Sequence, residues 1–207
     1  MSSKLSLRLK EISSFVDKSY LSIWDLCCDH GKLGLHLYEQ RKCASLHLVD
    51  CVESIIKNLK KYETDRISAL CLDGALIENL QEDSLICICG VGGEELIKIL
   101  IGLETRNDLK GIDFLISPHN QTYKVRKFLR ENGYGLIKES VLIDGKWSYE
   151  LLYVSKNSTA QICEIGKLAY LNSGKDHLAH LRKIIKHYSN VDSEVAKKYN
   201  ELLIELT

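Results

Sequence analysis

Four acids and a set of glycines recur at the ends of short apolar runs, at spacings suited to holding a nucleoside. The first run ends in Asp25-Leu26-Cys27-Cys28-Asp29-His30-Gly31. The second ends at Asp50, followed by Cys51, the third at Asp73-Gly74, and the fourth at Gly90-Val91-Gly92-Gly93. An acid at the second end can accept hydrogen bonds from ribose hydroxyls, and one at the third from an adenine amino group. Glycines at the first and fourth ends let backbone approach a ligand closely. A pyrophosphate needs three glycines and an unopposed helix N-terminus. Only Gly31 and Gly34 follow the first run, and Asp25 and Asp29 repel phosphate. A sulfonium and an ammonium are attracted instead, so the acids favour S-adenosylmethionine over NAD. Asp29 has a second reading, as the cap of the helix that follows.

These residues meet only if the runs are strands of one open sheet, whose ligands bind beyond the carboxyl ends of the strands. Ser22 to Cys28, Ser45 to Asp50, Arg66 to Leu72, Ser84 to Gly90 and Gly111 to Ser117 read as five buried strands. Helical spacing fills the gaps at Lys32 to Gln40, around Ile55, Ile56 and Leu59, and after Gly92-Gly93. Leu136 to Ile143 and Trp147 to Ser155, joined by Asp144-Gly145, signal a β-hairpin. The expectation is an α/β, Rossmann-like, mostly parallel sheet with one antiparallel edge strand. Leu9, Ile12, Phe15 and Val16 mark an N-terminal amphipathic helix. Beyond a short linker at Asn157-Ser158-Thr159 the pattern turns helical. Leu178, Leu181, Ile185 and Tyr188 form one stripe and Val195, Tyr199, Leu202 and Leu206 another, broken at Gly174 and at Ser189-Asn190-Val191-Asp192. This predicts a helical hairpin or antiparallel coiled coil over 157–207, attached to a sheet domain over 1–156.

The 207 residues allow one medium domain with a small appendage, and 45% hydrophobic content excludes wholesale disorder. Lys+Arg and Asp+Glu are equal at 28 each, so a polyanion must be met by a local basic patch. No apolar run is long enough to span a bilayer, and Met1-Ser2-Ser3-Lys4 does not open a signal peptide. The eight scattered cysteines contain no C-x-x-C pair and suit a reduced cytoplasmic chain. Cys87 and Cys89 share a strand face without two further ligands in reach, so no metal site is expected.

The chain resembles the bacterial tRNA (adenine-22-N1)-methyltransferases, the TrmK type. Ser6-Leu7-Arg8-Leu9 matches that family's S-x-R-L, and Asp25 to Leu33 matches its D-x-G-S-D-H-(A/G)-x-L loop. Asp73-Gly74 matches its D-G pair, Gly90-Val91-Gly92-Gly93 its G-M-G-G, and Ser117-Pro118-His119-Asn120 resembles its Q-P-N. Tyr149-Glu150-Leu151 resembles its closing Y-E-I strand. The resemblance covers residues 5 to 155 and implies a class I methyltransferase fold using S-adenosylmethionine, acting at adenine N1 of tRNA. It departs at Cys27, where the family has glycine, and at Ser117-Pro118-His119-Asn120, where either His119 or Asn120 takes the polar role. It implies that Arg8 reaches the cofactor carboxylate. The expected cofactor contacts are Arg8, Asp25, Cys27, His30, Gly31, Asp50, Cys51, Asp73, Gly74, Gly90, Gly92 and Gly93.

Adenine N1 has a free lone pair and loses no proton on attack, so catalysis calls for alignment and groups that favour growing positive charge. Asp29 is the expected active-site carboxylate, with His30 either lining the site or bonding the local backbone. RNA must be held largely through its phosphates. Tyr123, Lys127 and Arg130 share one helix face beside His119 and Asn120, while Val125, Phe128 and Leu129 point inward. On the tail, Lys175, Arg182 and Lys186 form one ridge, and His180, Lys183 and His187 another. The first is the expected RNA contact; either is also readable as a solvated face. Rival readings are a methyltransferase with another RNA base or a small-molecule acceptor, and a non-catalytic RNA-binding module. A dehydrogenase is disfavoured by the acids.

Overall fold

In the computed structural model, which describes residues 5–145, 147–171 and 177–207, seven strands form one sheet in the order β3-β2-β1-β4-β5-β7-β6. They are β1 (Tyr20–Leu26), β2 (Cys43–Asp50), β3 (Ile67–Cys71), β4 (Ser84–Cys89), β5 (Ile112–Ser117), β6 (Gly135–Asp144) and β7 (Trp147–Ser155). The first five pair in parallel. β7 runs antiparallel to both β5 and β6. The antiparallel end of the sheet is therefore as expected, with β7 slotted inside and β6 on the rim. Gly145, at φ +61°, makes the tight turn that returns the chain. Strand order reverses beside β1, and the crevice at that switch point opens between the ends of β1 and β4.

Burial explains the runs. Leu85, Ile86, Cys87 and Ile88 of β4 are all fully buried, as a central parallel strand covered on both faces requires. Helices α1 (Leu7–Ser14), α2 (Lys32–Glu39) and α3 (Glu53–Leu59) cover one face, around Ile12, Leu37, Leu46 and Leu48. Helices α4 (Gly93–Arg106) and α5 (Thr122–Glu131) cover the other, with Leu96, Leu100, Val125 and Leu129 in its core. β1 begins and ends two residues earlier than its pattern suggested, so Cys27 and Cys28 lie in the loop beyond it. The cause is Cys27, whose φ of +52° ends the extended run.

The segment after Lys156 is not a short free linker. Residues 158–160 lie against the start of β6: Ser158 Oγ donates to the Leu136 carbonyl at 2.6 Å, and Leu136 N–H donates to the Ala160 carbonyl at 2.8 Å. Helices α6 (Lys167–Leu171), α7 (His177–Tyr188) and α8 (Ser193–Glu205) follow. Leu181, Val195, Tyr199 and Leu202 share a core with Tyr170 of α6 and Val141 of β6. Asp192 caps α8, accepting from the N–H groups of Glu194 and Val195 at 3.1 Å. A buried charge cluster ties this end to the sheet. Arg126 of α5 bonds Glu150 at 2.7 Å, Glu139 at 2.6 Å and the Cys163 carbonyl at 3.1 Å. Glu139 in turn accepts from Ala169 N–H at 3.0 Å. Burial opposes the Arg126 charge, but Glu150 and Glu139 outweigh it and raise its pKa.

Candidate active site

The loop after β1 is shaped by three left-handed residues, Cys27 (φ +52°), Asp29 (φ +50°) and Gly31 (φ +63°). Asp25 accepts the Gly34 N–H at 2.9 Å, and a side chain at position 34 would press on Asp25 and Leu46. Burial pushes the Asp25 carboxyl up to about 7, opposed by the Gly34 bond and assisted by the Asp50 charge. Asp50 clamps the neighbouring turns, accepting Asp29 N–H at 3.2 Å and Val52 N–H at 3.0 Å. The Asp29 side chain is 69% exposed, with His30 Nε2 3.8 Å away. It does not cap α2, whose N-cap is Gly31 and carries no side-chain bond. The capping alternative is thus excluded, and the carboxylate lies exposed at the rim beside His30.

Arg8, Asp25, Cys27, Asp29, His30, Gly90 and His119 line a cavity of about 270 Å³ at the switch point. Ser6 caps α1 by accepting Leu9 N–H at 3.2 Å, which fixes the turn bearing Arg8. Arg8 Nε and Nη2 are shielded from solvent and have no hydrogen-bond partner among the described residues. Gly90, at φ +127°, leaves the wall between Arg8 and His119 open. The remaining candidates lie outside this cavity lining. Asp73 accepts Ala75 N–H at 2.9 Å, and Cys51 is exposed, its carbonyl 3.8 Å from the Cys71 thiol. Gly31, Gly74 and Gly93 face protein: a side chain would meet Leu59, Leu26 and the Asn120 carbonyl respectively. Gly92 lies against the Asn120 side chain.

A larger cleft of about 780 Å³ opens on the far side of His119. Its walls include His119, Asn120, Tyr123, Trp147 and Tyr149 from the sheet side, and His180, Lys183, His187 and Tyr188 from α7. His119 belongs to both cavities, whereas Asn120 uses its Oδ1 to hold Gly93 N–H at 3.1 Å. The two residues thus divide the work, with Asn120 bracing the β4 loop and His119 facing both spaces. Burial and the Arg8 charge lower the His119 pKa. Burial, with Lys183 and His177, pushes His180 down to about 4. Both imidazoles are neutral near pH 7.

The basic residues are distributed differently from the sequence expectation. Tyr123 does line the cleft, but its hydroxyl is engaged by Glu164 at 3.3 Å and Lys198 at 3.2 Å. Lys127 and Arg130 do not line it; they pair with Glu131 at 3.9 Å and Glu164 at 3.3 Å. On α7, Arg182 and Lys186 are exposed and absent from the cleft wall, and the other ridge, His180, Lys183 and His187, faces it. The apolar stripe of α7 has two basic flanks, and only docking against the sheet decides which is turned inward. Lys175 lies outside the described residues. Sequence reasoning passed over Trp147 and the Arg126 cluster. An arginine beside Val125 and glutamates in two apolar strands were the available signal. Among the described residues no group of three or more metal-ligating side chains converges, and no helix is long and apolar enough to cross a membrane.

Residues 5–152 match the family model of a methyltransferase domain. Over 162 residues, 75% of this chain and 70% of its relative, the chain is 24% identical to MG248 of Mycoplasma genitalium, provisionally assigned as a tRNA methyltransferase. TrmK of M. capricolum, solved with S-adenosyl-homocysteine, superposes with a TM-score of 0.75 at 20% identity, covering 96% of this chain and 94% of that one. Sp1610 of Streptococcus pneumoniae, provisionally a tRNA (m1A22) methyltransferase and solved with S-adenosyl-L-methionine, gives 0.77 at 22% identity, covering 98% and 99%. The fold is the Rossmann-like methyltransferase fold, with helices at the C-terminus, expected from the sequence.

Proposed function

We propose, from the premise that this chain belongs to the methyltransferase-domain family, that it methylates N1 of an adenine in tRNA, at a position of the adenine-22 type, using S-adenosylmethionine. The observation that carries this reading is the pair of cavities meeting at His119, one acidic with a guanidinium edge that has no partner among the described residues, the other aromatic and basic. The relatives' tRNA activity and their bound cofactors support the same choice.

The residues present fit the cofactor. The shielded Arg8 Nε and Nη2 suit its carboxylate, and Asp25 and Asp29 its positive charges. Asp50 and Asp73, at the end of β2 and just past β3 and outside that lining, are assigned in this reading to its ribose and its adenine amino group. When bound, S-adenosylmethionine supplies an electrophilic methyl group on sulfur. The chain needs no general base, because adenine N1 gives up no proton. Asp29 favours the cationic product base from the cavity rim. His119, held neutral, offers a hydrogen bond where the two spaces join without adding charge that would oppose the product. Tyr123, Tyr188 and Trp147 provide ring faces for an unstacked base, and Lys183 with His187 provides for a flanking phosphate. Residues 1–156 form the cofactor-binding unit in this reading and 157–207 the helical unit that docks RNA. Work on tRNA implies a cytoplasmic protein.

Mass spectrometry of nucleosides, after unmodified tRNA is incubated with protein and S-adenosylmethionine, tests this. We expect 1-methyladenosine, lost in Asp29→Ala while cofactor binding persists. Absence of any methylated adenosine would reject the activity, and full activity of Asp29→Ala would reject that residue's role.

A further inference from the structure

Tyr149 stands where the two cavities meet, yet it carries no group that the proposed chemistry uses. Along β7 the side chains alternate. Glu150 points to the buried Arg126, so Tyr149 is presented on the opposite face, towards α1. There its ring lies under Arg8, whose guanidinium carbon is 4.3 Å from the ring centroid. The His119 ring centroid lies 5.9 Å from that of Tyr149, the two planes tilted at 53°. Arg8 takes part in no ion pair among the described residues, and its Nε and Nη2 are shielded and hydrogen-bonded to nothing there. A carboxylate in place of the ring would orient the guanidinium by occupying its N–H edge. An aromatic face fixes the plane of the cation and leaves that edge free.

We propose that Tyr149 is a positioning residue, holding Arg8 edge-on to the cavity so that its free N–H groups receive the carboxylate of the methyl donor. This rests on the reading of that cavity as the S-adenosylmethionine site. Gly90 keeps the route clear, since a β-carbon there would sit 4.0 Å from Arg8 Nη2 and 3.6 Å from His119 Nε2. Tyr149 acts through Arg8 and through the ring face alone; its hydroxyl has no part.

Calorimetric titration with S-adenosylhomocysteine, which retains the carboxylate and lacks the transferable methyl, reads this directly. Tyr149→Leu should weaken binding roughly tenfold, and Tyr149→Phe by no more than about twofold. In an Arg8→Ala background the leucine change should add less than about twofold, because the two residues act as one unit. In turnover with tRNA, the loss should fall on KM for the donor and not on kcat. Unchanged binding by Tyr149→Leu, an equal loss in Tyr149→Phe, or losses that multiply in the double variant would each overturn the proposal. Tyr149→Met gives the same pair of outcomes if the leucine variant does not fold. Failure of the parent protein to bind the ligand would remove the cofactor reading as well, whereas a binding parent with an unaffected leucine variant removes this inference alone.

Discussion

The switch-point cavity and the larger cleft share His119 but are built by opposite means. Most walls of the switch-point cavity lie within a few residues of a strand end, and hydrogen bonds to two acids brace the loops around it: Gly34 N–H to Asp25, and Asp29 and Val52 N–H to Asp50. The larger cleft is gathered from segments around residues 118–123, 147–150 and 180–199. The last of these packs on Tyr170 and Val141, beside a buried cation, Arg126, that joins α5 to Glu139, Glu150 and the Cys163 carbonyl. A site made of turns tolerates changes elsewhere in the molecule; one made by docking depends on them.

The largest expected effect strikes the docking. Arg126→Met leaves Glu139 and Glu150 buried without a counter-charge, and should lower unfolding free energy by roughly 3–5 kcal/mol in urea denaturation. A loss under about 1 kcal/mol would show that the cluster does not secure the cleft. On the donor side, Asp50→Ala removes charge-assisted hydrogen bonds and should weaken S-adenosylmethionine binding about 100-fold, with tRNA affinity unmoved. Parallel loss of both would mean that the two sites are not separately built.

Intermediate effects sharpen the contrast. Lys183→Glu should raise KM for tRNA about tenfold and flatten its salt dependence, while Arg182→Glu changes it by about twofold at most. Equal effects would put RNA on the outer ridge. Asp25, pushed up to about 7 by burial, binds its proton more tightly folded than unfolded. Its contribution to the stability of the ligand-free protein is complete below about pH 4 and lost as pH rises through about 7. A cationic ligand needs the ionised form, so S-adenosylmethionine should bind about tenfold more tightly at pH 8 than at pH 6. Asp25→Asn should flatten both dependences, and a slope that survives it would assign the titration elsewhere. The smallest change is Cys27→Gly. Relief of the left-handed backbone is offset by a looser unfolded chain, so stability should move by under about 1 kcal/mol in thermal melting.

The same contrast sets what could be read in advance. Strand runs, their order of chemistry and the acids at their ends were legible because each is a local pattern of period and punctuation. Cys27 stood out only against the glycine of the resembled family; that its backbone is left-handed, at φ +52°, was not legible. The inner placement of β7 needed only one further step, since a hairpin must attach to β5 through one arm or the other. The cleft was not legible. Arg182 and Lys183 are adjacent in sequence, and nothing local distinguishes the flank that faces the sheet. Gly93 read as a ligand contact, yet it makes room for the Asn120 carbonyl, a long-range packing fact. Arg126 was hidden because a buried charge is recognisable only beside its partners.

The central claim is that acids at the switch point select a positively charged methyl donor. Titration of the protein with S-adenosylmethionine and with NADH, at matched salt and pH 8, tests it most directly. Saturable heat with the former, its affinity weakened about 100-fold by Asp50→Ala, and none with the latter is the predicted result. NADH binding more tightly than S-adenosylmethionine would contradict it.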